Sequence, residues 1–124
     1  MIVASLLNTK GRDVFSITPD ASVTDAARYL RDKGIGAALV LDQAGAAAGV
    51  FSERDLVNAI ADQGNTALTL KVGDLMSRDV ISCTPTDPIP TVMATMTERR
   101  VRHLPVVDGG KVVGVVSIGD VVKS

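Results

Sequence analysis

Gly49-Val50-Phe51-Ser52-Glu53-Arg54-Asp55 and Gly114-Val115-Val116-Ser117-Ile118-Gly119-Asp120 are one phrase written twice, Gly-x-x-Ser-x-x-Asp. Each starts in aliphatic residues of strand type and ends on a serine with an aspartate three residues later, the pattern of a capped helix start. The flanking residues of the two copies stay in register as well. Val14-Phe15-Ser16-Ile17-Thr18-Pro19 falls over Val80-Ile81-Ser82-Cys83-Thr84-Pro85, and Val23, Ala26, Ala27 and Leu30 fall over Ile89, Val92, Met93 and Met96. Val40 and Asp42 fall over Val106 and Asp108, and a one-residue gap in the next turn brings the two phrases into line. Matches kept in order over about 45 residues mark a tandem duplication.

Both copies predict the same local structure. An extended piece ends at Thr-Pro, because proline pushes the residue before it out of helical geometry. A helix follows, capped by Ser22 and stopped near Gly34 in the first copy, and started by Asp87-Pro88 in the second. Ala38–Leu41 and Leu104–Val107 read as buried strands, and turns at Asp42–Gly45 and Asp108–Gly110 lead to second strands at Gly49–Phe51 and Val112–Val116. A helix then opens at Ser52 or Ser117. The expected fold class is α+β, with β-α-β-β-α repeated at 14–62 and 80–124. An N-terminal segment (1–13) precedes the first repeat, and a linker (63–79) with a helical turn at Val72–Met76 joins the two. About 60 residues bury too little surface to stand alone, so one pseudo-two-fold globule is expected.

Composition narrows the function. The chain has 124 residues, 46% of them hydrophobic but only 2% aromatic, and a net charge of −1. Too few rings are present to stack single-stranded bases, and the balanced charge argues against nucleic acid or an anionic membrane as partner. One cysteine and one histidine allow neither a disulfide framework nor a Cys/His zinc site. No apolar run approaches the roughly 18 to 20 residues needed to span a bilayer, and a cytoplasmic location is expected.

The phrase itself carries chemistry. A strand running into a helix start exposes unpaired N–H groups, and a carboxylate there can accept two hydrogen bonds from a ribose diol. The local reading, a simple capping box, is compatible with that role.

The twofold β-α-β-β-α order, the Thr-Pro openings, Ser52-Glu53-Arg54-Asp55, Arg100-Val101-Arg102-His103-Leu104-Pro105-Val106 and Ser117-Ile118-Gly119-Asp120 resemble the cystathionine-β-synthase (CBS) domain pair of small stand-alone bacterial proteins. The resemblance implies a regulatory sensor, not an enzyme. It would bind AMP, ADP, ATP or NAD(H) in the cleft between repeats, with S-adenosylmethionine disfavoured by the arginines. It also implies a homodimer and a downstream protein partner. Carried over by residue, a first site would use Ser52, Arg54 and Asp55 with Val80, Ile81, Val101, Arg102 and His103. There Asp55 takes the ribose, Val80 and Ile81 flank adenine, and Arg102 and His103 face phosphate. A second site would use Ser117 and Asp120 with Val14, Phe15, Ile35, Gly36 and Ala37. Gly36-Ala37 stands where the other copy has Arg102-His103, so Lys10 and Arg12, or Arg102 and His103 from across the cleft, become candidate cations for the second site, which is expected to bind phosphorylated ligands more weakly.

Plainer roles compete. Arg102 could complement the negative end of the preceding helix, and His103 could pack before a buried strand. Met93 and Met96 read as core or interface fillers, and Cys83 as a small buried residue. The last helix is short. Two other functions compete: a dimerisation module without ligand, and an adenine-nucleotide enzyme. The latter lacks a nucleophile–base–acid set.

Overall fold

The structure, a computed structural model, describes residues 1–123. In chain order the elements are α1 (Val3–Lys10), β1 (Ser16–Ile17), α2 (Val23–Lys33), β2 (Ala37–Leu41), β3 (Ala47–Ser52), α3 (Glu53–Gln63), a 3-10 helix (Gly64–Thr69), α4 (Val72–Leu75), α5 (Ile89–Arg99), β4 (His103–Asp108), β5 (Lys111–Ser117) and α6 (Ile118–Lys123). They fall into two compact units. One is Phe15–Val80; the other joins Met1–Val14 to the chain from Ile81 onward.

In the first unit β1 pairs parallel with β2, placing Ile17 against Val40, and β2 pairs antiparallel with β3, placing Ala38 against Phe51. α2 starts where its cap dictates: the Ser22 hydroxyl accepts from the Asp25 N–H at 3.0 Å, and Gly34 closes the helix in the left-handed conformation. Val23, Ala26 and Leu30 on α2 pack with Ala38, Val40, Phe51 and Val72 as the core. Phe51 is fully buried and is the one aromatic residue there at zero exposure.

The second unit repeats this plan with one reduction. β4 and β5 form the hairpin, and its register shifts between Val106 and Val107, as the first hairpin's does between Val40 and Leu41. The opening strand expected around Val80–Cys83 is only a single parallel bridge from Cys83 to Val106. Cys83 donates its N–H to Pro105 O (3.0 Å) and accepts from Val107 N (2.8 Å). Pro105 has no N–H to give, but its carbonyl still accepts, so this edge tolerates proline.

Helix α1 is absent from the sequence reading. Its apolar pattern lasts little more than one turn, with Val3, Leu6 and Leu7 at i, i+3 and i+4 and 0%, 7% and 1% exposed. What holds it is tertiary: Val3 N bonds to Asp87 O (3.0 Å), Ala4 N to Pro85 O (2.8 Å), and Ile89 N to Met1 O (3.0 Å). α4 makes the matching set within the first unit, with Val72 N on Ala21 O (2.9 Å), Gly73 N on Pro19 O (2.9 Å) and Val23 N on Leu70 O (3.1 Å). Each long helix therefore begins against a lead segment. For the second repeat that segment is the chain's N-terminus.

The lead segments also explain the glycine of the repeated phrase. A Cβ on Gly49 would lie 2.6 Å from Ser77 O and 2.7 Å from Met76 Sδ, and one on Gly114 would lie 2.8 Å from a Leu7 methyl. Close approach of the lead segment, not turn geometry, favours glycine at both places, against backbone at Gly49 and against a side chain at Gly114.

Arg100 ends α5 in the left-handed conformation (φ 55°), where α2 uses Gly34 (φ 66°). A side chain there costs roughly 1–2 kcal/mol. Arg100→Gly is therefore expected to stabilise the protein by about 1 kcal/mol in urea unfolding, and an unchanged or lower midpoint would disprove this reading.

Candidate functional site

The repeated phrase forms two capped strand-to-helix turns of the same build. At the first, Asp55 Oδ2 accepts from Ser52 N (2.8 Å) and Ser52 Oγ (3.1 Å), and Ser52 Oγ accepts from Asp55 N (3.3 Å). At the second, Asp120 Oδ2 accepts from Ser117 N (2.8 Å), and Ser117 Oγ accepts from Asp120 N (3.1 Å). A backbone bond from the start of each hairpin closes each turn: Glu53 N donates to Gly36 O (2.9 Å) and Ile118 N to Arg102 O (2.8 Å). In each aspartate the Oδ1 oxygen makes no hydrogen bond among the described residues. Both carboxylates are only partly buried, so each keeps an acceptor for an incoming hydroxyl.

Within the first unit, Ala37 faces Ser52 across the hairpin, so Ile35–Ala37 lies beside the first turn. Within the second, His103 faces Ser117, so Val101–His103 lies beside the second turn. The groupings implied by the resemblance take residues from both units, and the structure of each unit brings together only its own share. Arg54 is exposed on α3. Phe15 is 46% exposed and uses its carbonyl to accept from Leu39 N. Val14 and Val80 are half-buried, and Ile35, Ile81 and Val101 rest partly buried against the cores. Arg102 and His103 are both exposed, so His103 is not the packing histidine that the sequence left open. Met96 is core at 2% exposure, whereas Met93 is exposed.

The turns differ in their cations. Lys10, at the end of α1, places its ammonium 3.2 Å from Asp120 Oδ2 and donates to Val115 O. At the first turn the carbonyl matching Val115 is Val50 O, which accepts from Ser77 N in a backbone bridge. α4 stops in time for Ser77 to pair with the strand edge, whereas α1 runs on as helix and substitutes a lysine side chain. Arg12 turns back along the chain, with Nη2 2.6 Å from Asn8 Oδ1. Burial pushes the Asp120 carboxyl up, but the Ser117 N–H and hydroxyl and the Lys10 ammonium together outweigh it, and its pKa falls below the ordinary 3.8. The stabilisation is therefore complete above that ordinary value and is lost as pH falls through the lower, folded one. The sequence assigns Lys10 to the second site as a candidate cation, but its direct pairing with Asp120 depends on α1, which the sequence does not predict.

Burial, with the Asp87 charge adding to it, pushes the Cys83 thiol up to about 11. It is a thiol at neutral pH and 5% exposed, so the folded protein is expected not to react with iodoacetamide at pH 8. Rapid alkylation without denaturant would contradict this. No group of three or more His, Cys, Asp or Glu among the described residues could hold a metal ion, and no helix there is long and apolar enough to cross a membrane.

Comparison with known proteins agrees with the geometry. The CBS domain family model matches residues 4–62 and again 72–124. A mitochondrial CBS domain-containing protein of Arabidopsis thaliana is 33% identical over 98% of the chain, which spans 63% of that relative's length. The crystal structure of a CBS-domain containing protein from Agrobacterium tumefaciens is 43% identical, with a TM-score of 0.85 over 99% of this chain and 98% of that one. A CBS domain protein from Pyrobaculum aerophilum, complexed with AMP, is 27% identical, with a TM-score of 0.79 over 97% of this chain and 89% of that one. The chain belongs to the CBS-domain family and carries two copies of the domain.

Proposed function

We propose that the chain is a regulatory module that senses adenosyl ligands and transmits their occupancy to a partner protein. The observation that supports this best is the duplicated capping carboxylate. Asp55 and Asp120 each spend one oxygen on their own serine and keep the other without a partner, the arrangement a ribose diol can use. The AMP complex of the Pyrobaculum aerophilum relative is consistent with that ligand class.

In this reading the first site takes ribose on Asp55, with Ser52 and Arg54 beside it. Val80, Ile81 and Val101 flank adenine, and Arg102 and His103 receive phosphate. The second takes ribose on Asp120 with Ser117; Val14, Phe15 and Ile35–Ala37 surround the base, and Lys10 and Arg12 supply positive charge. With 2% aromatic residues in the chain, adenine is held between aliphatic side chains rather than stacked on rings. AMP, ADP, ATP and NAD(H) are all candidates. Selectivity comes from shape, ribose and phosphate. The working form is a cytoplasmic homodimer with a regulatory rather than catalytic role.

A thermal-shift panel tests this. Millimolar AMP, ADP, ATP and NADH are each added to the wild type and to the Asp55→Ala/Asp120→Ala double variant. At least one is expected to raise the wild-type melting temperature and to lose that effect in the double variant. Equal shifts in both proteins would remove the ribose role, and no shift in either would leave a module without an adenosyl ligand.

A further inference from the structure

We infer that Lys10 sets the ligand preference of the second turn, holding Asp120 against unphosphorylated nucleosides and yielding it to ligands that bring a phosphate. The inference rests on the adenosyl reading of that turn. Asp120 Oδ2 already carries two donors, the Ser117 N–H at 2.8 Å and the Lys10 ammonium at 3.2 Å. A carboxylate oxygen has two acceptor positions, so Oδ2 is full and only Oδ1 remains open. A ribose diol held bidentately sets one hydroxyl on each carboxylate oxygen, so Oδ1 takes the first and a full grip needs room on Oδ2 for the second. At Asp55 the second donor on Oδ2 is the Ser52 hydroxyl, which can rotate away without leaving a charge behind. At Asp120 the second donor is a cation, and moving it separates an ion pair.

The pair is placed to open. The Lys10 and Asp120 side chains are 27% and 24% exposed, and both line a cavity of about 310 Å3 with Met1, Leu6, Thr9 and Lys123. The Lys10 ammonium also donates to Val115 O, so it keeps one partner at the strand edge when the carboxylate lets go. A nucleoside offers the displaced ammonium nothing. A nucleotide offers it a phosphate, so the charge lost at Asp120 is recovered on the ligand. The lysine thus exchanges one anion for another, and a ligand without an anion must separate the pair uncompensated. The lowered pKa of Asp120 is in keeping with a carboxylate held by that cation.

The test is an amide NMR titration of the ligand-free protein with adenosine and with AMP, read separately at Ser52–Asp55 and Ser117–Asp120, for wild type, Lys10→Met and Lys10→Arg. A partly exposed ion pair predicts that Lys10→Met tightens adenosine at Ser117–Asp120 by about two- to fivefold and lowers the preference for AMP over adenosine there by a similar factor. Ser52–Asp55 is expected to be unaffected, and Lys10→Arg to behave as wild type. Without ligand, Lys10→Met is also expected to raise the titration midpoint of the Asp120 carboxyl. An unmoved midpoint, or second-turn affinities indifferent to Lys10 while the first turn binds, overturns this inference and leaves the adenosyl reading standing. Equal changes at both turns overturn it as a general effect on stability. If neither ligand perturbs either turn, the adenosyl reading falls and takes the inference with it.

Discussion

Gly49→Ala is expected to destabilise the protein by about 3 kcal/mol or more, and Gly114→Ala by only about 1 kcal/mol. The two glycines hold the same place in the repeated phrase, so the difference comes from what lies against them. The new Cβ at Gly49 would meet a backbone oxygen, Ser77 O, at 2.6 Å, together with Met76 Sδ and Cγ at 2.7 and 2.9 Å. Ser77 cannot withdraw without breaking its two 2.9 Å bonds to Val50. The nearest atoms to a Cβ on Gly114 all belong to the Leu7 side chain, its methyls at 2.8 and 3.2 Å; Leu7 is buried, but it can shift without breaking a backbone bond. A domain whose total stability is typically about 5–15 kcal/mol has little margin for the first change. Urea unfolding reads both variants. Equal losses would show that the glycine serves the turn itself and not the packing of the lead segment.

Arg102→Ala is expected to weaken AMP at the first site by about ten- to hundredfold and to leave adenosine unchanged. Charge-assisted bonds from a guanidinium to phosphate are worth roughly 1.5–3 kcal/mol each, and a nucleoside has no phosphate to lose. Arg102 is exposed and its carbonyl, not its side chain, accepts from Ile118 N. Alanine keeps that backbone bond, so folding is preserved while the charge goes. Isothermal titration with both ligands is the measurement. A parallel loss of adenosine binding would assign Arg102 a structural role, and undiminished AMP binding would take phosphate away from it.

The duplication and the capping boxes were legible in the sequence because both are local. Ser22, Ser52 and Ser117 each bind the N–H three residues on, as the Ser-x-x-Asp spacing dictates. The hairpins were legible for the same reason, since turn residues and aliphatic runs of Val and Leu mark them directly. What escaped depends on contacts distant in sequence. α1 exists because Val3, Ala4 and Met1 bond to residues 85–89, and one turn of apolar spacing cannot announce that. The Gly-x-x-Ser-x-x-Asp motif marks Gly49 and Gly114, but the cause of each glycine is a lead segment that no local pattern predicts. The shrunken strand before Cys83 escaped because its sequence matches that of its sister while its pairing does not. The Lys10–Asp120 pair joins residues from opposite ends of the chain and follows only once α1 is in place.

Calorimetric titration of AMP into protein stripped of any co-purified ligand decides whether the chain is an adenosyl sensor. Saturable binding in the micromolar range, resolved into two unequal sites that both vanish in the Asp55→Ala/Asp120→Ala variant, is the predicted result. Absence of binding up to millimolar AMP, ADP, ATP and NADH, or undiminished binding by the folded double variant, would contradict it.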